Sequence, residues 1–266
     1  MQDTCRDLLA EYQALADLCE TLMPAQWQTR STFFGWTPWD EIAHLCYFDE
    51  TALQSATEPE AFIKGMKELG PKMAAGEPIS VIARLKYGAF DGAALTQHWR
   101  GLHERLVAAL AGLDPKARLP WYGPSMSARS FATARLMESW AHGQDIWDVI
   151  KRERPATTRL KHIAHIGVTT FGWSFVNRKL AVPGNVPHIE LRAPDGELWA
   201  WGEPSDTDWV RGSAQDFCLL VTQRRNRADT QLTSQGTAAD QWLAIAQCFA
   251  GPPADAPAPG AYGPAK

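Results

Sequence analysis

The sequence predicts a mainly α protein, an up-down helical bundle followed by a small α+β domain. Three observations predict it. Apolar residues recur at helical spacing, with helix-start chemistry, through most of the first 182 residues. From His188 onward, alternation of period two takes over. Val182-Pro183-Gly184 punctuates the change. A chain of 266 residues fits one large domain or two smaller ones and is long enough to bury a sizeable core.

The elements follow in order. Residues 3–22 carry Leu8, Leu9, Tyr12, Leu15, Ala16 and Leu22 close to helical period, and Pro24 ends the run. The second helix has the clearest start. Thr37 suits the N-cap and Pro38 the first helical position, while Asp40 and Glu41 suit the positive end of the dipole. It should run over 38–55. A short helix over 58–69 precedes the breakers Gly70-Pro71 and Gly76-Glu77-Pro78. A long helix fits 79–113, with Gly88 or Gly92 as the place for a break, and 114–124 is a Pro-rich loop. Ser125 or Ser127 caps the next helix, which reaches about Arg152, and Pro155 stops it. Residues 158–180 read as a fifth helix. Four or five long helices with short links suggest an up-down bundle over 1–182.

In the α+β domain, assigned to 183–250, His188-Ile-Glu-Leu-Arg192 and Leu198-Trp-Ala-Trp201 flank Asp195-Gly196, a hairpin signal. Trp209-Val210 suggests a third short strand. Helices should cover 213–224 and 238–249. Residues 251–266 hold five prolines and three glycines and read as a disordered tail.

Composition excludes several classes. Twenty-six basic against 30 acidic residues gives a net charge of −4, so nothing favours nucleic acid. The longest stretch without a charged residue, 162–177, is too short to span a membrane. Asp3, Arg6 and Asp7 spoil a signal peptide, so a cytoplasmic location is expected. Five scattered cysteines without a CxxC pair read as free thiols.

The chemistry concentrates in two helices. Glu138-Ser-Trp-Ala-His142 places two potential ligands at i and i+4, about 40° apart around the axis and about 6 Å along it. Asp145 continues that stripe. The plain alternative is an intrahelical Glu–His hydrogen bond on a solvated face. His44 sits among Ile42, Ala43, Leu45 and Phe48, where a satisfied core histidine is the plain alternative. A lone His on one bundle helix and an ExxxH pair on another are nonetheless the parts of an in-core metal site. Two imidazoles and a carboxylate suit zinc or another divalent first-row metal. Three protein ligands leave a position open, as catalytic sites do. Asp40 and Asp145 are candidates to orient the ligand histidines. Trp36, Trp140 and Trp147 suit either the core or a cavity wall. His162 and His165 share a face, but no third ligand is evident.

Gly35-Trp36-Thr-Pro38-Trp-Asp40-Glu-Ile-Ala-His44 resembles the GW-T-x-x-D-x-x-x-H segment of the DinB-like superfamily, in its branch of mycothiol-dependent maleylpyruvate isomerase N-terminal domains. That family carries one His on its second helix and ExxxH on its fourth. His44, Glu138 and His142 match these positions one for one. The segment from Gly212 through Asp216 to Arg224 is similar to the G-x-A-x-D-L-x-L-x-x-x-x-R pattern of the family's second domain.

The resemblance implies a zinc-binding DinB-like four-helix bundle with a low-molecular-weight thiol, mycothiol- or glutathione-like, as cosubstrate. Ni2+, Fe2+ or Mn2+ are alternatives to Zn2+. A free thiol is mostly protonated at neutral pH, with a pKa of ~8.5, and a divalent cation deprotonates a coordinated one. Attack on a small, carboxylate-bearing electrophile would give cis–trans isomerisation or S-transfer. Arg224 would clamp the substrate carboxylate; a helix-end arginine meeting the dipole is the plain alternative. A metal-dependent hydrolase and a non-catalytic metal or small-molecule binder are the competing readings. The partners expected are a small substrate and a thiol, and a homodimer stays open.

Overall fold

The computed structural model describes residues 1–74 and 78–261, so the Gly76-Glu77 part of the second breaker lies outside the described residues. Two compact units emerge, Met1–Ile150 and Lys151–Lys266. The break falls at the end of the ExxxH helix, ahead of the Val182-Pro183-Gly184 punctuation.

The first unit is a four-helix bundle. It is built from α1 (Gln2–Glu20), α2 (Pro38–Thr57), α5 (Gly92–Ala111) and α6 (Ala128–Val149), with α1 and α2 each packed against α5 and α6. Between the second and third bundle helices lie α3 (Pro59–Ala74) and α4 (Ile79–Tyr87), both packed on α2. A short antiparallel ladder, β1 (Arg118–Leu119) with β2 (Met126–Ser127), leads into α6.

Local chemistry explains these boundaries. Thr37 and Asp40 close a capping box at the start of α2, where Thr37 N donates to Asp40 Oδ2 at 3.0 Å and Asp40 N donates to Thr37 Oγ1 at 3.3 Å. The helical region expected over 79–113 breaks between the two glycines named as break points, α4 ending at Tyr87 before Gly88 and α5 starting at Gly92. Asp91 caps α5, its side chain accepting from Ala94 N at 2.8 Å. Gly92 at that junction lets the Trp27 ring pack on the backbone, since a Cβ there would stand 2.2 Å from the ring and displace it. Of the two serines considered for α6, Ser127 is the cap and accepts from Ser130 N. The α3 helix passes through Gly70-Pro71 to Ala74.

Helix α6 is the central helix of the unit, buried on nearly every face between Ala128 and Ile146. Ile42, Ala43, Leu45 and Cys46 of α2 and Leu95, Trp99 and Leu106 of α5 are fully buried in the same core. All five cysteines are buried free thiols. Among the described residues, no helix is long and apolar enough to cross a membrane.

The second unit begins with α7 (Leu160–Thr169) and α8 (Phe171–Val176), where a single helix over 158–180 was expected. The hydroxyls of Thr169 and Thr170 both bond the Ile166 carbonyl, at 3.1 and 2.8 Å, and the helix breaks there. These helices belong to the second unit rather than to the bundle, because α7 packs on α9 (Ala214–Val221). Gly167 permits the approach: a Cβ there would lie 2.9 Å from Phe217 and Val221.

The expected hairpin is present as β3 (His188–Arg192) with β4 (Leu198–Trp201). The expected third strand is β5 (Trp209–Ser213), which pairs parallel to β3 in register His188 with Trp209. A further strand, β6 (Thr233–Gln235), pairs antiparallel to β5, giving the order β4-β3-β5-β6. Helix α10 (Thr237–Ile245) follows β6. Residues 251–261 form no helix or strand, yet hydrogen bonds hold them as far as Gly260. Gln223 Nε2 donates to Ala254 O at 2.6 Å, Asn226 Nδ2 to Pro257 O at 2.8 Å, and Gly260 N to the Asp229 carboxylate at 2.9 Å.

Candidate metal centre

Helix α2 supplies His44, and α6 supplies Glu138 and His142. The bundle brings the three together, with one ligand atom from each lying within 4.8 Å of the others. Nε2 of His142 stands 3.3 Å from Glu138 Oε2, and Nε2 of His44 stands 3.9 Å from the same oxygen. The two imidazole centroids are 4.3 Å apart. The His142 side chain is 6% exposed, that of His44 12% and that of Glu138 25%, so Glu138 is the most exposed of the three.

These distances can be tested against a metal. Tetrahedral zinc with ligand bonds of about 2.0–2.1 Å places its donor atoms about 3.3 Å apart. The His142–Glu138 separation equals that edge, and the His44–Glu138 separation exceeds it by about half an ångström. The donor set of two imidazole nitrogens and one carboxylate oxygen also fits a divalent first-row ion.

A second buried group, Glu41, His142 and Asp145, shares His142. Here Nδ1 of His142 lies 2.7 Å from Glu41 Oε2. That is hydrogen-bond length and too short for the edge of a zinc tetrahedron. Among the described residues these two groups are the only convergent sets of three ligand-type side chains, and His162 and His165 belong to neither.

Burial alone would raise the Glu138 carboxyl. Hydrogen bonding to His142 and His44, with the charges of His142 and Arg135, outweighs burial and holds the group well below the usual carboxylate range. Arg135 lies one turn before Glu138 and belongs to a buried polar knot. Asp49 of α2 accepts from Arg135 Nε at 2.8 Å, from Tyr12 of α1 at 2.6 Å and from Trp99 Nε1 of α5 at 2.8 Å. All four bundle helices therefore meet on one carboxylate.

Aromatic rings wall the cluster. Trp36 lies 5.2 Å from the His44 ring and stacks at 5.9 Å on His142, Phe33 meets His142 edge-on at 5.6 Å, and Phe48 lies 4.7 Å from His44. Of the three tryptophans singled out in the sequence, Trp36 lines the site. Trp140 is buried two residues past Glu138, on another side of α6.

Asp40 does not orient a histidine. Its carboxylate caps α2 and pairs with Arg84 Nη2 at 2.6 Å. Glu41, the next residue, reaches His142 Nδ1 at 2.7 Å, and Asp145, the other residue expected to orient a histidine, lies in the same buried group. Sequence reasoning missed Glu41, Asp49, Arg135 and the two phenylalanines of the wall, Phe33 and Phe48. Two of these carried a signal, since Glu41 precedes His44 by three residues and Arg135 precedes Glu138 by three, one helical turn in each case. Arg224 lies in the second unit, just after α9. It is buried, and its Nη1 donates to Thr222 O at 2.8 Å.

A four-helix bundle with a His and a Glu-x-x-x-His pair facing each other defines a class of helical proteins with an in-core site of metal-ligand type. Residues 8–147 match the family described as the Mycothiol maleylpyruvate isomerase N-terminal domain, and the chain belongs to that family. Uncharacterized proteins of Mycobacterium tuberculosis, from strains CDC 1551 / Oshkosh and ATCC 25618 / H37Rv, are each 41% identical over 249 residues, which covers 93% of this chain and 95% of theirs. Crystal structures of the mycothiol-dependent maleylpyruvate isomerase and of a histidine-to-alanine mutant share the fold. Their TM-scores are 0.54 and 0.55 at 18% and 16% identity, over 88% of this chain and 92% of theirs.

Proposed function

We propose that this protein is a metal-dependent enzyme that uses a low-molecular-weight thiol, mycothiol- or glutathione-like, to attack a small electrophilic carboxylate, as a cis–trans isomerase or S-transferase. The observation that carries the reading is the convergence of His44, Glu138 and His142 at distances near those of a tetrahedral site. Membership of the mycothiol maleylpyruvate isomerase N-terminal family supports the thiol.

His44 and His142 would hold a divalent ion, Zn2+ first, through Nε2, and Glu138 through its carboxylate. When bound, such an ion keeps a neighbouring thiol in its nucleophilic thiolate form at neutral pH. Trp36, Phe33 and Phe48 keep water from that side of the site and offer flat surfaces to an unsaturated substrate. The thiolate sulfur bonds to one carbon of a conjugated double bond, and the displaced pair moves to the conjugated carbonyl oxygen. Rotation about the resulting single bond, then expulsion of the thiolate, restores the double bond in the other geometry. If a proton is captured before expulsion, the thioether is the product of S-transfer.

The test is turnover of a panel of small unsaturated carboxylates, with and without mycothiol or glutathione, by the native protein and His142→Ala. Turnover that requires thiol and disappears in the variant is expected. Turnover undiminished without thiol would overturn the thiol reading and leave metal-bound water as the competing nucleophile.

A further inference from the structure

Each ring nitrogen of His142 faces a carboxylate. Nδ1 lies 2.7 Å from Glu41 Oε2, with both side chains almost wholly buried. Nε2 faces Glu138 Oε2 at 3.3 Å. A carboxylate can only accept, so the proton between His142 and Glu41 belongs to Nδ1. Nε2 is then the nitrogen turned toward Glu138 and His44, where a bound ion would take its lone pair.

We infer that Glu41 is a positioning residue that fixes the tautomer and ring orientation of His142, so that α2 provides both one ligand, His44, and the brace for a ligand on α6. This rests on the metal reading of His44, Glu138 and His142. Helix geometry makes the arrangement economical. Glu41 and His44 are three residues apart and face the same way, while His142 comes from α6, 101 residues along the chain from Glu41. One helix-to-helix contact therefore ties the ring of His142 to the helix that carries its co-ligand. Trp36 packs on the face of that ring and Phe33 on its edge, which limits rotation, while Glu41 engages Nδ1.

Two variants separate geometry from charge. Glu41→Gln keeps an acceptor oxygen and loses the charge; Glu41→Ala loses both. Zinc affinity is measured by competition with a chromophoric chelator. The His142 tautomer is read from 15N shifts in metal-free protein. Glu41→Ala should weaken zinc binding about 10–100-fold and mix the two tautomers of His142. Glu41→Gln should keep the Nδ1–H tautomer and lose less affinity. Thermal unfolding and the His44 15N shifts, which report the fold, should change little in Glu41→Gln. An unchanged tautomer and unchanged zinc affinity in Glu41→Ala would overturn the inference. If the native protein takes up no zinc, the metal reading fails, and the tautomer comparison still decides whether Glu41 sets the ring.

Discussion

Two polar clusters sit on the same helices within a turn or two of each other and are built on opposite principles. The Asp49 knot is sealed. One carboxylate takes three donors at 2.6–2.8 Å, and Tyr12, Asp49 and Arg135 are almost wholly buried. The His44–Glu138–His142 cluster is spaced at 3.3 and 3.9 Å and is most exposed at Glu138. Burial works against the Arg135 charge, and the adjacent Asp49 outweighs it, so the guanidinium stays protonated. The knot satisfies its carboxylate with protein donors and leaves Arg135 Nη2 of the guanidinium without a hydrogen bond, whereas the open cluster has the spacing an added ion would close. Core polar groups satisfied by one another specify a bundle, and ligand-type groups held apart make a site.

That contrast can be broken in graded steps. Asp49→Ala should have the largest effect on stability. It leaves the Arg135 guanidinium buried without its carboxylate, at a cost of about 3–5 kcal/mol in urea unfolding. His44→Ala in metal-free protein should cost well under half of that. Equal losses would erase the distinction between knot and site.

Acid should find the knot next. His103, stacked on Tyr12 at 4.7 Å, is fully buried, and burial pushes its pKa down to about 4 from the ordinary 6.5. The unfolded chain binds this proton more readily. The neutral folded form is therefore fully favoured above pH 6.5, and that advantage is lost as pH falls through 4. The loss is worth about 3 kcal/mol. Urea titrations at pH 7 and pH 4.5 on the native protein and His103→Leu should diverge. Parallel curves would remove His103 from the account.

Tyr12→Phe removes one buried hydrogen bond and keeps the ring, so a loss of about 1 kcal/mol is expected. The smallest effect belongs to the surface. Arg100 pairs with Asp17 at 2.6 Å and Glu20 at 2.9 Å in solvent, and Arg100→Ala should cost about 0.5 kcal/mol, falling further in high salt.

Much of this organisation was legible in the sequence because it is local. Thr37-Pro38-Trp-Asp40 announces the start of α2, and Glu138 with His142 shares a helix face by spacing alone. Periodicity reports which face is buried and not what covers it. Residues 158–180 are amphipathic enough for a bundle, yet they pack on α9 in the second unit. The parallel pairing of β3 with β5, and the strand β6, depend on partners brought together by the fold. The same limit hid the site's supports. Glu41 reads as an ordinary first-turn acid until α6 arrives, and Asp49 and Arg135 are 86 residues apart. Asp40, at a sequence position equally suited to orienting a histidine, is consumed by the cap and by Arg84.

The central claim is that three side chains from α2 and α6 hold a metal ion. Elemental analysis by plasma mass spectrometry tests it directly, on native protein beside His44→Ala and His142→Ala. Near one equivalent of a divalent metal in the native protein, lost from both variants while their helical circular dichroism is retained, is the result predicted. No metal in the native protein, even after incubation with zinc, nickel, iron(II) and manganese salts, would contradict it and reduce the cluster to a polar pocket in the bundle.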